Sequence, residues 1–168
     1  MSQGKSDQAI VERAGPEDWQ RLRDLRLSAL ADAPDAFAST LEEEGSFTEA
    51  DWRGRLSDED WITFFARIGE TYLGLATCGL YDDAAGLYSM WVAPKARGRG
   101  LGDALVQAVV AVARAQGHSQ LLLDVGDENL PAIRLYARNG FLPTGLVETL
   151  PPPRDHVKEH QRRLLLID

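Results

Sequence analysis

The chain has 168 residues, 44% of them hydrophobic, and a formal net charge of -8 at pH 7. This length predicts one domain over residues 1–168 that buries its own core, with the polar residues 1–7 disordered. The acidic balance argues against nucleic acid as a partner, and no run reaches the roughly 18 apolar residues that span a membrane. The lone Cys78 is interpreted as a buried small side chain. We therefore expect a cytoplasmic protein.

The first half of the chain predicts a strand, two helices and a three-stranded meander. A short strand over residues 8–13 precedes a helix within residues 15–32, in which Pro16 suits the first turn. A second helix begins after Thr48, because threonine commonly caps a helix start. Strand-like runs follow, joined by turn-forming residues, at 61–69, 70–80 and 86–94.

The second half predicts alternating helices and strands. Residues 100–116 carry one apolar helical face, and residues 120–125 form a continuous apolar run that is typical of a buried strand. Residues 128–140 predict another helix, and two strands complete the chain, the last over 157–168. The elements together predict an α/β fold with a single mixed, mostly antiparallel sheet of six or seven strands, flanked by about four helices.

Three alternate glycines, Gly98, Gly100 and Gly102, lie between a predicted strand and a predicted helix. Backbone N–H groups at a helix start bind anions, most often a phosphate, and glycine removes the Cβ that would keep it away. A dinucleotide-dependent oxidoreductase is one interpretation, because Asp124 lies about 20 residues further on. Against it, Asp103 occupies the place of the third glycine in G-x-G-x-x-G, and an antiparallel meander precedes the motif.

The same stretch resembles a different signature. Residues 97–102, RGRGLG, resemble the acetyl-coenzyme A motif R/Q-x-x-G-x-G/A of the GNAT N-acetyltransferase superfamily, and residues 90–94, MWVAP, resemble the end of that family's strand β4. Residues 129–141 resemble its N-x-x-A-x-x-x-Y-x-x-x-G-F helix and turn. Both motifs occur in the family's order, and the resemblance covers residues 60–145, so the chain is identified as a member.

The resemblance implies a GNAT-like fold and acetyl-CoA as the acyl donor, without a metal. The pantetheine arm would pair with the backbone of Met90, Trp91 and Val92, and the Val92 N–H would polarise the thioester carbonyl. Asn129 would hydrogen-bond near the arm, and Tyr136 would also contact the donor. The turn that holds the phosphates would comprise Arg97, Gly98, Arg99, Gly100, Leu101, Gly102 and Asp103.

The implied reaction moves an acetyl group to a primary amine by direct attack in a ternary complex. Tyr136 would protonate the leaving thiolate, since a thiol has a pKa of about 8.5 and a phenol about 10. The predicted strand at 86–94 lacks an acid, so the sequence does not identify the base: Asp124 is the assigned candidate, with Glu148, His156 or no base as alternatives. Because this strand lacks an acid, a non-catalytic acyl-CoA-binding module is an alternative interpretation.

The acceptor is expected to be an amine of a small molecule or a peptide. The acidic balance of the chain favours a cationic one, because a negative field attracts cations. A homodimer through the C-terminal strands is also compatible with the resemblance.

Overall fold

The computed structural model describes residues 8–167 and contains one seven-stranded sheet. Its strands are β1 (Ala9–Arg13), β2 (Ile62–Ile68), β3 (Thr71–Tyr81), β4 (Ala84–Val92), β5 (Gln120–Gly126), β6 (Leu142–Thr149) and β7 (Lys158–Leu165). Their order in the sheet is β1-β2-β3-β4-β5-β7-β6, with β4 and β5 parallel and the other neighbours antiparallel. The predicted mixed, mostly antiparallel sheet is confirmed, and the predicted disorder of residues 1–7 lies outside the described residues.

Five helices accompany the sheet within residues 8–167: α1 (Trp19–Asp32), α2 (Leu41–Gly45), α3 (Glu49–Ser57), α4 (Leu101–Ala115) and α5 (Leu130–Arg138). The sequence prediction missed the short α2, which has almost no apolar residues to reveal a helical period. Helix α3 begins as predicted: the Thr48 hydroxyl accepts the Asp51 N–H at 3.2 Å, and the Asp51 carboxylate accepts the Thr48 N–H at 2.8 Å. None of these helices is long and apolar enough to cross a bilayer.

Both faces of the central strands are covered, each by its own apolar cluster, whereas β6 is exposed along its length. Helix α4 packs on one face through Leu101, Leu105, Val106, Val109 and Ala113, all of them fully buried. Helices α1 and α3 pack on the other face through Leu22, Leu25, Ala29, Leu30 and Trp52. Cys78 lies in the first cluster, where burial raises the pKa of its thiol to about 11. It is therefore a core side chain and a poor nucleophile.

Strand β4 carries a bulge that positions the site described below. Leu75 faces Trp91 and Thr77 faces Tyr88 across the β3–β4 ladder, so one residue of β3 lies opposite two residues of β4. Such a bulge bends its strand and increases the local twist. On its other edge β4 is paired with β5 only at Ala85 and Gly86 in the described ladder. The two parallel strands therefore separate beyond Gly86 and leave a gap.

Candidate active site

A cavity of about 850 Å³ opens where β4 and β5 separate. Strand β4 contributes Met90, strand β5 contributes Asp124, and Asn129 and Tyr136 come from the start and the second half of α5. The structure thus brings four predicted site residues together from three elements. The opposite wall comes from α1, α3 and residues 36–39.

The three glycines lie at the start of α4, and they differ in what they allow. Gly98 and Gly100 have φ of +80° and +87°, and a Cβ at either position would meet nothing within 4 Å. These two glycines supply left-handed turns beside open space. Gly102 has ordinary helical backbone, but its Cβ would lie 3.2 Å from Leu135 Cδ2 on α5. The structure therefore gives Gly102 a packing role, while its N–H remains in the first turn of α4.

Asp103 forms an ion pair and a hydrogen bond with residues at the end of α5. Its two carboxylate oxygens accept bonds from Arg138 Nε and Nη2, each at 2.9 Å, and one also accepts Asn139 Nδ2 at 2.9 Å. The Arg138 bond, followed by the Asn139 bond, holds the pKa of Asp103 below its usual value. This pairing offsets the negative charge at the helix start. The neighbouring Leu101 has its side chain in the core and offers a ligand only its backbone.

Arg97 joins the end of β4 to the end of α1. Its Nε donates to the Val92 carbonyl at 3.0 Å, and its Nη2 donates to Asp32 Oδ2 at 2.7 Å. The same Asp32 oxygen accepts Trp91 Nε1 at 3.0 Å. The Trp91 bond, with Arg97 beside it, lowers the pKa of Asp32. Arg99 lies exposed in the turn that follows.

The Val92 N–H is directed toward the gap. Its neighbour Ala93 donates its N–H to the Leu73 carbonyl of β3 at 2.7 Å. Successive N–H groups of a strand point to opposite edges, so the Val92 N–H points away from β3. The gap edge of β4 therefore offers a backbone donor at the predicted position.

Asp124 belongs to a group of acids at one end of the cavity. The Tyr81 hydroxyl lies 3.1 Å from each of its carboxylate oxygens, and Gln161 Nε2 donates to that hydroxyl at 3.0 Å. Burial, with the charge of Glu148, raises the pKa of Asp124, although the Tyr81 bond opposes the shift. Glu159 lines the same cavity, and burial followed by the charges of Asp124 and Glu148 raises its pKa. These carboxylates repel one another, which favours a cation or a shared proton between them.

Tyr136 is 5% exposed and packs edge-to-face on Phe141, with ring centroids 5.8 Å apart. Burial raises the pKa of its hydroxyl well above the ordinary value. Asn129 caps α5, since its Oδ1 accepts the Ala132 N–H at 3.4 Å. Both residues line the cavity, so each combines a structural contact with an accessible position.

Arg154 holds the segment of residues 34–38, which overlaps the cavity wall at residues 36–38. Its Nη1 donates to the carbonyls of Pro34 at 2.6 Å and Phe37 at 2.8 Å, and its Nη2 donates to that of Ala38 at 2.7 Å. A single side chain from the loop before β7 therefore sets the position of a segment more than a hundred residues earlier.

Comparison with known proteins gives the family. Residues 19–141 match the family model described as the acetyltransferase (GNAT) family. The chain belongs to this family. A mycothiol acetyltransferase of Thermobispora bispora is 34% identical over 128 residues, which is 70% of this chain and 40% of that protein. The chain thus spans about 40% of the length of this curated relative.

Solved GNAT structures have the same fold as this family member. A GCN5-related N-acetyltransferase from Kribbella flavida is 25% identical with a TM-score of 0.74, and 94% of this chain covers 97% of that one. A GNAT-family acetyltransferase from Streptococcus pneumoniae is 19% identical with a TM-score of 0.77, covering 94% of this chain and 99% of that chain. The second comparison supports the fold alone.

For this GNAT chain, the sequence did not predict the polar side chains that bond to the predicted site residues. Tyr81 of β3 donates to Asp124 and accepts a bond from Gln161 of β7, and Glu159 of β7 lines the cavity. This arrangement depends on β7 lying beside β5 and has no sequence motif. The pair Arg26 and Glu44 was missed as well, because Glu44 lies in an acidic run, residues 42–44, that is typical of an exposed surface. A buried carboxylate in such a run leaves no periodic signal.

Proposed function

We propose that the protein transfers an acetyl group from acetyl-CoA to a primary amine, by direct attack in a ternary complex. One observation carries this proposal. A single cavity in the gap between β4 and β5 collects Met90, Asp124, Asn129 and Tyr136, and the glycine turn connects the end of β4 to the start of α4. This arrangement supports a donor bound on the family's motif and an acceptor bound in the cavity.

Acetyl-CoA would bind across the gap, with its phosphates on the turn of residues 97–103. The free N–H groups of the first turn of α4 and about half a positive charge from the helix dipole favour an anion there. The left-handed Gly98 and Gly100 keep that approach open. The pantetheine arm would run along the gap edge of Met90 and Val92, and Asn129 would bind it from the other side.

In the proposed reaction, the amine nitrogen attacks the thioester carbonyl carbon and forms the C–N bond. The negative charge that develops on the carbonyl oxygen would be held by the Val92 N–H. Collapse of the tetrahedral intermediate breaks the C–S bond and leaves an amide and a thiolate. One amine proton passes to a base, for which Asp124 is the candidate, through water where the distance requires it. The thiolate takes up one proton.

Tyr136 is the proposed donor to that thiolate. Its raised pKa keeps the hydroxyl protonated throughout the physiological range, so it is always available as a donor. The same burial makes it a weaker acid than free tyrosine. A thiolate in the same dry site is also destabilised, which raises the thiol pKa and partly restores the balance. A hydrogen bond to sulfur as the C–S bond breaks is therefore the minimum role.

The proposed acceptor is a cationic amine of a small molecule or a peptide. The carboxylates of Asp51, Asp58, Asp124 and Glu159 line the cavity, whereas its two arginines face the buried Glu44. A cavity with this excess of negative charge attracts amines with further positive charge. Turnover restricted to neutral or anionic amines would contradict this assignment.

The test is a calorimetric titration with acetyl-CoA, with NAD run in parallel, followed by a thiol-release assay over a panel of amines. Micromolar binding of acetyl-CoA, about -8 kcal/mol, together with turnover supports the proposal. Binding without turnover on any amine would support the acyl-CoA-binding module instead. Binding of NAD alone would support a dinucleotide enzyme and refute the proposal.

A further inference from the structure

The β4 bulge contains a residue in an unusual backbone conformation. Ser89 has φ of +58°, and it lies in the two-residue side of the bulge opposite β3. Left-handed backbone at a bulge normally favours glycine, because a Cβ is disfavoured there. Something else must therefore hold this residue in place.

A buried ion pair supplies that hold. Arg26 of α1 donates through Nε and Nη2 to the two oxygens of Glu44 of α2, each at 2.9 Å, and through Nη1 to Ser89 Oγ at 3.0 Å. Arg26 is 8% exposed and Glu44 is fully buried. Glu44 thus fixes the plane of the Arg26 guanidinium, and the third nitrogen, Nη1, donates to Ser89 in the bulge.

Stability alone is a weak explanation of this arrangement. A buried ion pair often contributes no more than apolar side chains of the same volume would, since desolvation offsets the attraction. Glu44 also accepts Arg55 Nη1 at 3.0 Å, so the carboxylate is fully engaged and rigid. What an apolar pair would not supply is the hydrogen bond to β4.

The bulge stands directly before the backbone that faces the gap. Ser89 precedes Met90, and the Val92 N–H follows two residues later on the strand that separates from β5. The direction of those backbone groups depends on where the extra residue of the bulge is accommodated. A shift of about 1 Å in a group that contacts the reacting atoms can cost about a hundredfold in rate.

We propose that Arg26, oriented by Glu44, is a positioning residue that holds the β4 bulge at Ser89 and thereby aims the Val92 N–H at the thioester. This inference rests on the proposed acetyl transfer. Arg26 acts through Ser89 and the backbone, without touching the reacting atoms.

Two kinds of variant test it. Arg26→Met combined with Glu44→Met removes the hydrogen bond and leaves no unpaired buried charge, so the fold survives. Ser89→Ala removes the hydroxyl that accepts the Arg26 bond, but alanine must still adopt the left-handed backbone. Ser89→Gly removes the same hydroxyl and adopts that backbone without a Cβ. The matched control is Arg53→Met with Glu49→Met, an exposed ion pair on α3 with a distance of 3.0 Å.

We expect the Arg26/Glu44 double variant and Ser89→Ala to lose about tenfold or more in kcat, with KM for acetyl-CoA changed by less than about twofold. Ser89→Gly should recover most of the kcat that Ser89→Ala loses, and the control should keep that of the wild type. An unchanged kcat in the first two variants would overturn the proposal. So would a loss in Ser89→Gly as large as in Ser89→Ala, or a raised acceptor KM at constant kcat, which would mean that Arg26 binds the acceptor.

Amide hydrogen exchange separates this proposal from the proposed function. If the wild type neither binds nor turns over acetyl-CoA, acetyl transfer fails, but the exchange rates of residues 89–92 still report on the bulge. We expect faster amide exchange at residues 89–92 in Ser89→Ala and in the double variant, and exchange close to the wild-type rate in Ser89→Gly. This result would support the proposal that Arg26 holds the bulge. Exchange equal to wild type in all three refutes it.

Discussion

Replacing Gly100 by alanine tests what the glycine turn is for. Gly100 has φ of +87° at the start of α4, and its Cβ direction is open. Alanine in a left-handed conformation costs about 1–2 kcal/mol. For a chain of 168 residues each kcal/mol lowers Tm by about 2–4 °C, so we expect a decrease of about 2–8 °C.

Binding of acetyl-CoA should fall more than stability does. The new Cβ occupies the open space above the N–H groups, and relief of the strain turns those groups away from a common point. We expect Kd for acetyl-CoA to rise at least about tenfold, which is about 1.4 kcal/mol. Calorimetric titration at a temperature well below Tm measures the affinity, and thermal denaturation measures the stability.

Gly102→Ala is the matched control. Its Cβ would point at Leu135, 3.2 Å from Cδ2, where a flexible side chain can move by a few tenths of an ångström. Alanine also gains about 0.8–1 kcal/mol over glycine within a helix, so Tm should stay within about 4 °C of the wild type. Kd should be unchanged. Equal losses of affinity in both variants, or none in Gly100→Ala, would refute the separate roles assigned to these glycines.

Three further outcomes are expected. Tyr136→Phe should lower kcat at least about tenfold while calorimetry finds the same acetyl-CoA affinity; unchanged kcat would remove its role as donor. Asp124→Asn should lose activity and the acidic limb of the pH–rate profile, because the raised pKa of Asp124 places that limb above its ordinary 3.8. Because the pKa of Asp124 is higher in the folded state, its protonated form stabilises the fold below about pH 3.8, and this stabilisation is lost as the pH rises through the folded pKa. The Asn variant should therefore have a higher Tm than the wild type at pH 7, and a lower Tm would contradict this prediction. Arg154→Ala should raise the acceptor KM and leave acetyl-CoA affinity unchanged, since it releases residues 34–38 alone; an equal loss of donor affinity would contradict that.

The fold was largely predictable because its signals are local. The meander, the helix at 101–115 and the caps at Thr48 and Asn129 follow from periodicity and capping chemistry within short windows. The prediction of β4 was late by two residues, since the turn consists of Asp82 and Asp83 and the strand begins at Ala84. Two alanines and a glycine have low strand propensity, and tertiary pairing with β3 overrides it.

For the candidate site, the sequence predicts only the residues that belong to its motifs. The motifs give the glycine turn, Asn129 and Tyr136 because those residues lie close together in sequence. The bonds from Arg97 to Asp32, from Tyr81 to Asp124 and from Gln161 to Tyr81 depend on the order of strands and helices in space. Their chemistry is ordinary hydrogen bonding, which any exposed polar residue can offer, so nothing in the sequence marks them out.

The bonds of Arg154 to residues 34–38 also bear on the order in which the molecule assembles. The contacts around the glycine turn close shorter loops, of 35 and 36 residues for Asp103 with Arg138 and Asn139 and of 65 for Arg97 with Asp32, whereas Arg154 closes loops of 116, 117 and 120 residues. Contacts between such distant residues form slowly, because chain entropy must be lost before they stabilise anything. We therefore expect residues 34–38 to reach their final position late in folding, after the glycine turn and α4 have formed.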